Sequence, residues 1–242
     1  MKALIFAAGL GSRFKPITNK IPKALVKVDG KTLLQFNIER LIQFGVNDIV
    51  INVHHYSNQI IEFLKYHNFF NVNIQISDES GLLLDTGGGL KKAANMLKGG
   101  EPILLQNVDI YSDIDYNKML KQHNNSGALA TLAVQNRESS RYLMFNGNNQ
   151  LSGWIDTKTN EQIVTRPNNS TKNMAFCGVH IVSPKILDML PDKNVFGIIE
   201  IYLELSKTQT ISGYLHNNNY WFDVGSPEKL EKLEQFLHLK KK

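Results

Sequence analysis

Immediately after an apolar run, Lys2–Ala7, the chain reads Ala8-Gly9-Leu10-Gly11-Ser12-Arg13. Two glycines let a backbone approach a ligand closely and aim N–H groups at an anion. Arg13 adds a planar multi-donor cation and Lys23 a compact one, both suited to phosphate oxygens. The Rossmann fingerprint is incomplete, because Phe14 stands where its third glycine belongs and the chain continues through Pro16 and Pro22 instead of a helix. No Gly-Lys-Ser/Thr follows at the right spacing, so Walker A is absent too. The loop is expected to bind phosphate in a third way, although a glycine turn with two surface cations reads equally well from this segment alone. Asp109 follows the apolar stretch Ile103–Val108, and Asp223 follows Trp221-Phe222. Two such carboxylates suit Mg²⁺, which takes one or two of them and completes its shell with phosphates and water. In isolation each aspartate reads first as a turn or N-cap carboxylate. His54-His55 lacks a third ligand nearby and is read as loop structure. Cys177 lies in an apolar strand without an activating base, which makes it a buried, inert thiol.

The elements that must hold these residues alternate through the first half. Lys2–Ala7, Asp48–Val53, Asn73–Ser77, Ile103–Val108 and Ala128–Val134 read as strands. Between them, Thr32–Phe44, Ser57 (as cap) to about Tyr66, Leu90–Leu97 and Asp115–His123 carry helical periodicity, and a glycine-rich turn precedes Leu90. Such alternation predicts βαβ units and a mostly parallel sheet. After Gln135 the pattern changes. Arg141–Phe145, Leu151–Asp156 and Met174–Val182 read as strands joined by Asn-rich loops, a smaller antiparallel or mixed layer. Helices at Pro184–Leu190 and Gly197–Lys207, a strand near Ile211–His216 and a helix capped by Ser226, with Pro227 in its first turn, run to about Leu239. Nothing divides the chain, so residues 1–242 are read as one α/β domain. In open α/β sheets ligands bind beyond the carboxyl ends of the strands, where the glycine loop and Asp109 fall.

A chain of 242 residues needs no staples to bury a core, and its one cysteine excludes a disulfide framework or a multi-cysteine metal site. No apolar run approaches the ~20 residues of a membrane span. The N-terminal run is too short for a secretory signal and no cleavage site follows it, so a cytoplasmic enzyme with no membrane partner is expected. Net charge is +5, but the cations are scattered apart from Lys240-Lys241-Lys242, which reads as a solvated tail; no nucleic-acid partner is expected.

The pattern Gly9-x-Gly11-x-Arg13-x-x-Pro16-x-Thr18-x-x-x-Pro22-Lys23-x-Leu25 resembles the signature of the sugar-1-phosphate nucleotidyltransferases, or nucleotide-sugar pyrophosphorylases. The likeness continues through Asp85-Thr-Gly-Gly-Gly89, Leu105-Gln-Asn-Val-Asp109, Ala175-Phe-Cys-Gly-Val179 and Trp221-Phe-Asp-Val-Gly225. It implies a Rossmann-like three-layer α/β fold with a mixed, mostly parallel sheet, in which residues 1–135 form a nucleotide-binding half and 136–242 a sugar-phosphate-binding half. By the same resemblance Ala8, Gly9, Gly11 and Ser12 wrap the nucleotide phosphates, and Arg13 and Lys23 neutralise the pyrophosphate and the reacting α-phosphate. Asp109 and Asp223 hold Mg²⁺, with Asn107 beside them. Glu79 to Gly89 form a base-recognition loop, with the backbone of Thr86, Gly87 and Gly88 against base or ribose. On the sugar side the resemblance implies Cys177, Gly178, Glu200 and Trp221. Arg141 and Arg166, in lid loops, are candidates for the sugar phosphate. The sequence departs from the family in two places: Val108 replaces the glycine usual before Asp109, and Phe176 replaces an asparagine near the sugar.

The short length and the Thr-Gly-Gly-Gly turn look most like the N-acetylmuramate-1-phosphate uridylyltransferases of cell-wall recycling, with mannose-1-phosphate guanylyltransferase-like proteins close behind. The expected partners are a nucleoside triphosphate and a sugar 1-phosphate, in a monomer or small homo-oligomer. A catalytically idle nucleotide-sugar sensor is the alternative from another class.

Overall fold

The apolar segment Lys2–Phe6 (β1) is buried on both faces because strands flank it and helices cover it above and below. The structure, a computed structural model, describes residues 1–167, 170–217 and 220–240. After β1 the chain makes a short ribbon, Lys27–Val28 (β2) with Lys31–Thr32 (β3). It then runs through Leu33–Gln43 (α1), Asp48–Val53 (β4), Ser57–Tyr66 (α2), Asn73–Asp78 (β5), Asp85–Leu97 (α3) and Ile103–Asn107 (β6). Ile110–Ser112 (β7), Tyr116–Ser126 (α4) and Ala130–Gln135 (β8) complete the first half. The second half holds Arg141–Phe145 (β9), Leu151–Asp156 (β10), Glu161–Val164 (β11), Lys172–Val182 (β12), Ile198–Ser206 (α5), Ile211–Leu215 (β13), Trp221–Asp223 (β14) and Pro227–Lys240 (α6).

The central sheet runs β11-β10-β9-β12-β6-β1-β4-β5, with β8 also on β12 and β13 beside β8. β6, β1, β4 and β5 are parallel and so are β8 and β13, while β12 runs antiparallel to β6, β8 and β9. The expected mixed sheet is thus one continuous sheet in which β12 joins the parallel part to the β9–β10–β11 meander. One face packs on α1, α2 and α4, around Leu34, Ile38, Leu41, Ile60, Leu64 and Met119; the other packs on α3 and α5, around Leu90, Leu97, Ile198 and Tyr202. These are the three layers. A third cluster seats α6 through Leu233 and Leu237 on Phe14, Val28 and Val224.

Local chemistry explains most boundaries. Thr32 caps α1 by accepting from Gln35 N at 3.0 Å, and Asp115 caps α4 by accepting from Lys118 N at 2.9 Å. Ser57 does not cap α2; that place belongs to Tyr56, whose φ is 54°. The segment Pro184–Met189 is a 3₁₀ helix. The helix read from Leu90 begins at Asp85, so the glycine triplet is helical and not a turn. Two pairs of short strands, β2–β3 and β7–β14, carry no periodicity long enough to read. Lys241 and Lys242 of the terminal lysine run lie outside the described residues.

Candidate active site

The strand order makes a crevice before any side chain is considered. From β1 the chain moves outward to β4 and β5, then returns to place β6 on the other side of β1. Segments leaving the carboxyl ends of β1 and β6 therefore diverge, and ligands bind at such a switch point. Ala8-Gly9 follows β1 and Val108-Asp109 follows β6. Between them lies a cavity of about 470 Å³ lined by Ala8, Gly9, Lys23, Glu79, Asp85, Thr86, Asn107, Val108 and Asp109 among others.

Gly9 is exposed, and a Cβ built on it would meet no protein atom within 4 Å. Gly11 is different. Its φ is +62°, and a Cβ there would lie 2.8 Å from Thr18 Cγ2 and 3.0 Å from Lys23 Cβ. Thr18 Oγ1 donates to Gly11 O at 2.8 Å, so this glycine folds the loop onto Lys23. Gly11, Ser12 and Arg13 stand outside the cavity lining. The start of the loop is braced from below: buried Asn52, on β4, accepts from Ala7 N at 2.6 Å and Ala8 N at 3.3 Å, and donates to Glu79 Oε1 at 2.7 Å. The amide N–H of Ala8 is thus engaged within the protein. Nothing in the sequence singled out Asn52; its one sign was a polar residue inside an apolar strand.

Lys23 is nearly buried and its ammonium pairs with Asp109 Oδ2, with the Phe14 ring 5.7 Å from the charge. β14 brings in the second carboxylate. It pairs antiparallel with β7, placing Asp223 opposite Ile110, and Val224 N donates to Asp109 O at 2.8 Å. Two aspartates far apart in sequence thus meet at one end of this strand pair, Asp109 just before β7 and Asp223 at the end of β14, and Lys229, at the start of α6, pairs with Asp223. Arg13 joins them at Gly225: a Cβ there would lie 2.8 Å from both an Arg13 guanidinium nitrogen and Asp223 Oδ1. Among the described residues no group of three His, Cys, Asp or Glu side chains could hold a metal ion.

The segment read as a base-recognition loop is corrected in part. Gly87 N and Gly88 N both donate to Phe196 O, at 2.9 and 3.1 Å, and all three glycines are buried. A Cβ on Gly87 would lie 2.3 Å from the Phe196 ring, and one on Gly88 would lie 2.1 Å from Asn194 O. Their smallness admits the Asn194–Phe196 segment. Thr86 borders the cavity, yet its hydroxyl accepts from Ile198 N at 3.0 Å and so caps α5. Glu79 is fully buried, and desolvation raises its pKa against the lowering effect of its bonds to Asn52 and Leu84 N. His54 Nδ1 contacts Glu79 O at 2.7 Å, in keeping with a loop role.

A second cavity, of about 620 Å³, shares Asp85 and Thr86 with the first and is walled by Ser139, Arg141, Tyr142, Trp154, Phe176, Glu200 and apolar residues of β9, β11 and α5. Cys177, Gly178 and Trp221 do not line it. Cys177 is buried, with its thiol pushed up to about 12 by desolvation. Gly178, at φ +71°, is where β12 bulges against Ile110 and Asn107. The Trp221 indole donates to Cys177 O at 2.8 Å. Glu200 does reach the cavity, paired with Lys193 and accepting from Gly197 N at 3.3 Å. Arg141 begins β9 instead of lying in a lid loop, and is held by Asp156 at 2.9 Å. Arg166 is turned to the end of α5, donating to Ser206 O and to Gln209 O at 3.0 Å. Trp154 and Tyr142 were not foreseen; both are partly exposed aromatics on strands whose inward face could not be assigned from alternation alone.

The nucleotidyl transferase family model matches residues 2–240. The chain belongs to that family. N-acetylmuramate alpha-1-phosphate uridylyltransferase of Neisseria meningitidis serogroup B is 30% identical over 235 residues, covering 97% of each chain. The mannose-1-phosphate guanylyltransferase catalytic subunit beta of Dictyostelium discoideum is also 30% identical, but the match covers 94% of this chain and 62% of that protein. Among solved structures, HddC from Yersinia pseudotuberculosis complexed with GMP-PN superposes with a TM-score of 0.77 at 22% identity, covering 98% of this chain and 99% of that one. This nucleotidyl transferase therefore has the nucleotide-diphospho-sugar transferase fold and belongs with the enzymes that act on sugar 1-phosphates.

Proposed function

We propose that the protein joins UTP to N-acetylmuramate 1-phosphate, releasing pyrophosphate. The geometric observation that carries the transferase reading is the strand pair that brings Asp109 and Asp223 together where Gly9 and Lys23 open onto the switch-point cavity. For the substrates, support comes from relatives of matching length: uridylyltransferases from Neisseria meningitidis and Caulobacter vibrioides align over 97% and 92% of their own chains, whereas the guanylyltransferase of Dictyostelium discoideum aligns over 62%.

The chemistry asks for alignment and charge stabilisation. An oxygen of the sugar phosphate forms a bond to the α-phosphorus, the bond from that phosphorus to the β-phosphate oxygen breaks, and the electron pair leaves on pyrophosphate. The attacking phosphate is already an anion at neutral pH, so no general base is needed. Gly9 admits the triphosphate to the backbone, and Lys23 and Arg13 offset the charge that gathers on the phosphates. The hard oxygen donors of Asp109 and Asp223 fit Mg²⁺, with the rest of its shell left to phosphate and water because among the described residues no third protein carboxylate stands with them. When bound, the ion supplies charge neutralisation and a fixed phosphate geometry.

The test is pyrophosphate release with Mg²⁺ across the four ribonucleoside triphosphates and N-acetylmuramate, N-acetylglucosamine, glucose and mannose 1-phosphates. Turnover confined to UTP with N-acetylmuramate 1-phosphate is expected. GTP with mannose 1-phosphate would replace the substrates and keep the reaction. Asp109→Ala and Asp223→Ala are each expected to lower kcat/KM at least ~100-fold, the scale of losing one transition-state contact, with folding intact. Near-wild-type turnover in either variant would remove it from the site.

A further inference from the structure

Arg137 lies in the loop between β8 and β9, outside every motif that pointed to the site. Its guanidinium carbon sits 4.0 Å from the centre of the Trp221 ring. One terminal nitrogen donates to Phe176 O at 2.9 Å, the other to Glu138 O at 3.3 Å, and Nε is buried without a partner. Trp221 and Asp223 stand two apart on β14, so their side chains leave the same face of the strand. The cation that covers Trp221 therefore stands on the side of Asp223, near enough that this carboxylate acts on its charge. On its other side Phe176, whose carbonyl it holds, is a wall of the second cavity. Arg137 thus stands between Asp223 and a wall of the second cavity.

Its charge is poorly compensated. Burial disfavours the charged form of this guanidinium, and among the described residues no carboxylate stands within ion-pair distance of it. Its hydrogen bonds there go only to backbone carbonyls, leaving three of a guanidinium's five N–H donors over. The other arginines on this side are committed: Arg141 to Asp156, and Arg166 to the end of α5. A half-buried cation with no carboxylate partner carries a cost, and a planar fork with free donors is the group that fits a phosphate.

We propose that Arg137 binds the phosphate of the acceptor sugar 1-phosphate and holds it toward Asp223 for attack on the α-phosphorus. The proposal rests on the transferase reading. Arg137 takes no part in making or breaking a bond; Trp221 and the Phe176 carbonyl keep its fork in place.

Arg137→Met preserves the apolar stem over Trp221 and removes charge and donors. With the substrate pair that the wild-type enzyme uses, R137M is expected to raise the acceptor KM at least 20-fold while the KM for the nucleoside triphosphate stays within twofold; R137K is expected to recover part of the loss. An unchanged acceptor KM, or equal rises for both substrates, overturns the proposal. If R137M does not fold, R137K carries the test with an acceptor KM raised at least fivefold, and wild-type values overturn it. A second readout needs no turnover. The Trp154→Phe variant leaves Trp221 as the sole tryptophan, and millimolar inorganic phosphate is expected to quench its emission in W154F but not in W154F/R137M. If no substrate pair turns over in the wild type, the transferase reading fails by itself. The quenching then judges Arg137 alone: no phosphate effect, or an effect that survives R137M, rejects it as an anion site.

Discussion

Gly9 and Gly11 stand in one loop, yet a methyl group added to each meets different surroundings. At Gly9 it meets no protein atom, and the backbone is not in the left-handed region; at Gly11 it meets Thr18 and Lys23 at a φ of +62°. Gly9→Ala is therefore expected to leave stability within ~0.5 kcal/mol of wild type, as an unstrained surface change does, while raising the KM for the nucleoside triphosphate at least tenfold. Gly11→Ala is expected to cost about 1–3 kcal/mol through the left-handed backbone and the crowded contact. Urea melts paired with steady-state kinetics separate the two. If G9A binds the triphosphate normally, the open space at Gly9 does not receive phosphates. The same reasoning reaches Gly225, where the space that a Cβ would fill is bordered by Arg13 and Asp223. That glycine keeps two charged groups near one another across the whole length of the chain, and only the resemblance, not its residue type, marked the segment.

At the scale of elements, long periodic segments were legible and short ones were not. α1, α2 and α4 and strands β1, β4, β6 and β8 each carry an apolar face or an apolar run that reads directly, and their ends moved by only a few residues. β7 and β14 are three residues each; no periodicity exists at that length, so the pairing that unites Asp109 with Asp223 could not be read even though both aspartates could. The glycine triplet failed for another reason. Glycine signals either a turn or a close approach, and sequence alone does not say what approaches. Here it is the Asn194–Phe196 segment, about a hundred residues away, whose carbonyls seat on the first turn of α3. Gly88→Ala drives a Cβ to 2.1 Å from Asn194 O, so it is expected to destabilise the fold by about 2–3 kcal/mol, as overpacking does. Gly81→Ala, with nothing within 4 Å of its Cβ, serves as the neutral control. A stable G88A with weakened nucleotide binding would return the triplet to the ligand.

For the whole molecule, the layered core that aligns the strand ends also sets how the protein answers acid. β12 crosses between the two halves of the sheet and carries His180, which is 1% exposed, edge-on to Phe176 and Tyr202, with Nδ1 against the Tyr202 hydroxyl. Burial lowers its pKa to about 3 from 6.5. Between those values the unfolded chain binds a proton that the native state does not, so stability falls as pH falls from 6.5 toward 3, by roughly 1 kcal/mol per pH unit. His123 and His216, both buried, are lowered as well and act in the same direction. Glu79 acts oppositely: its raised pKa means that the native state holds the extra proton above 4.5, which favours the fold as pH falls through that range. The wild-type slope is the sum of these, and a single substitution isolates one of them. His180→Gln stays neutral throughout and keeps an acceptor for Tyr202. Whatever it costs at pH 7, its stability measured by urea unfolding at pH 7, 6, 5 and 4 is expected to decline less steeply than wild type, by about 1 kcal/mol per pH unit below 6.5. Parallel curves would mean that His180 binds its proton as readily in the folded state as in the unfolded one.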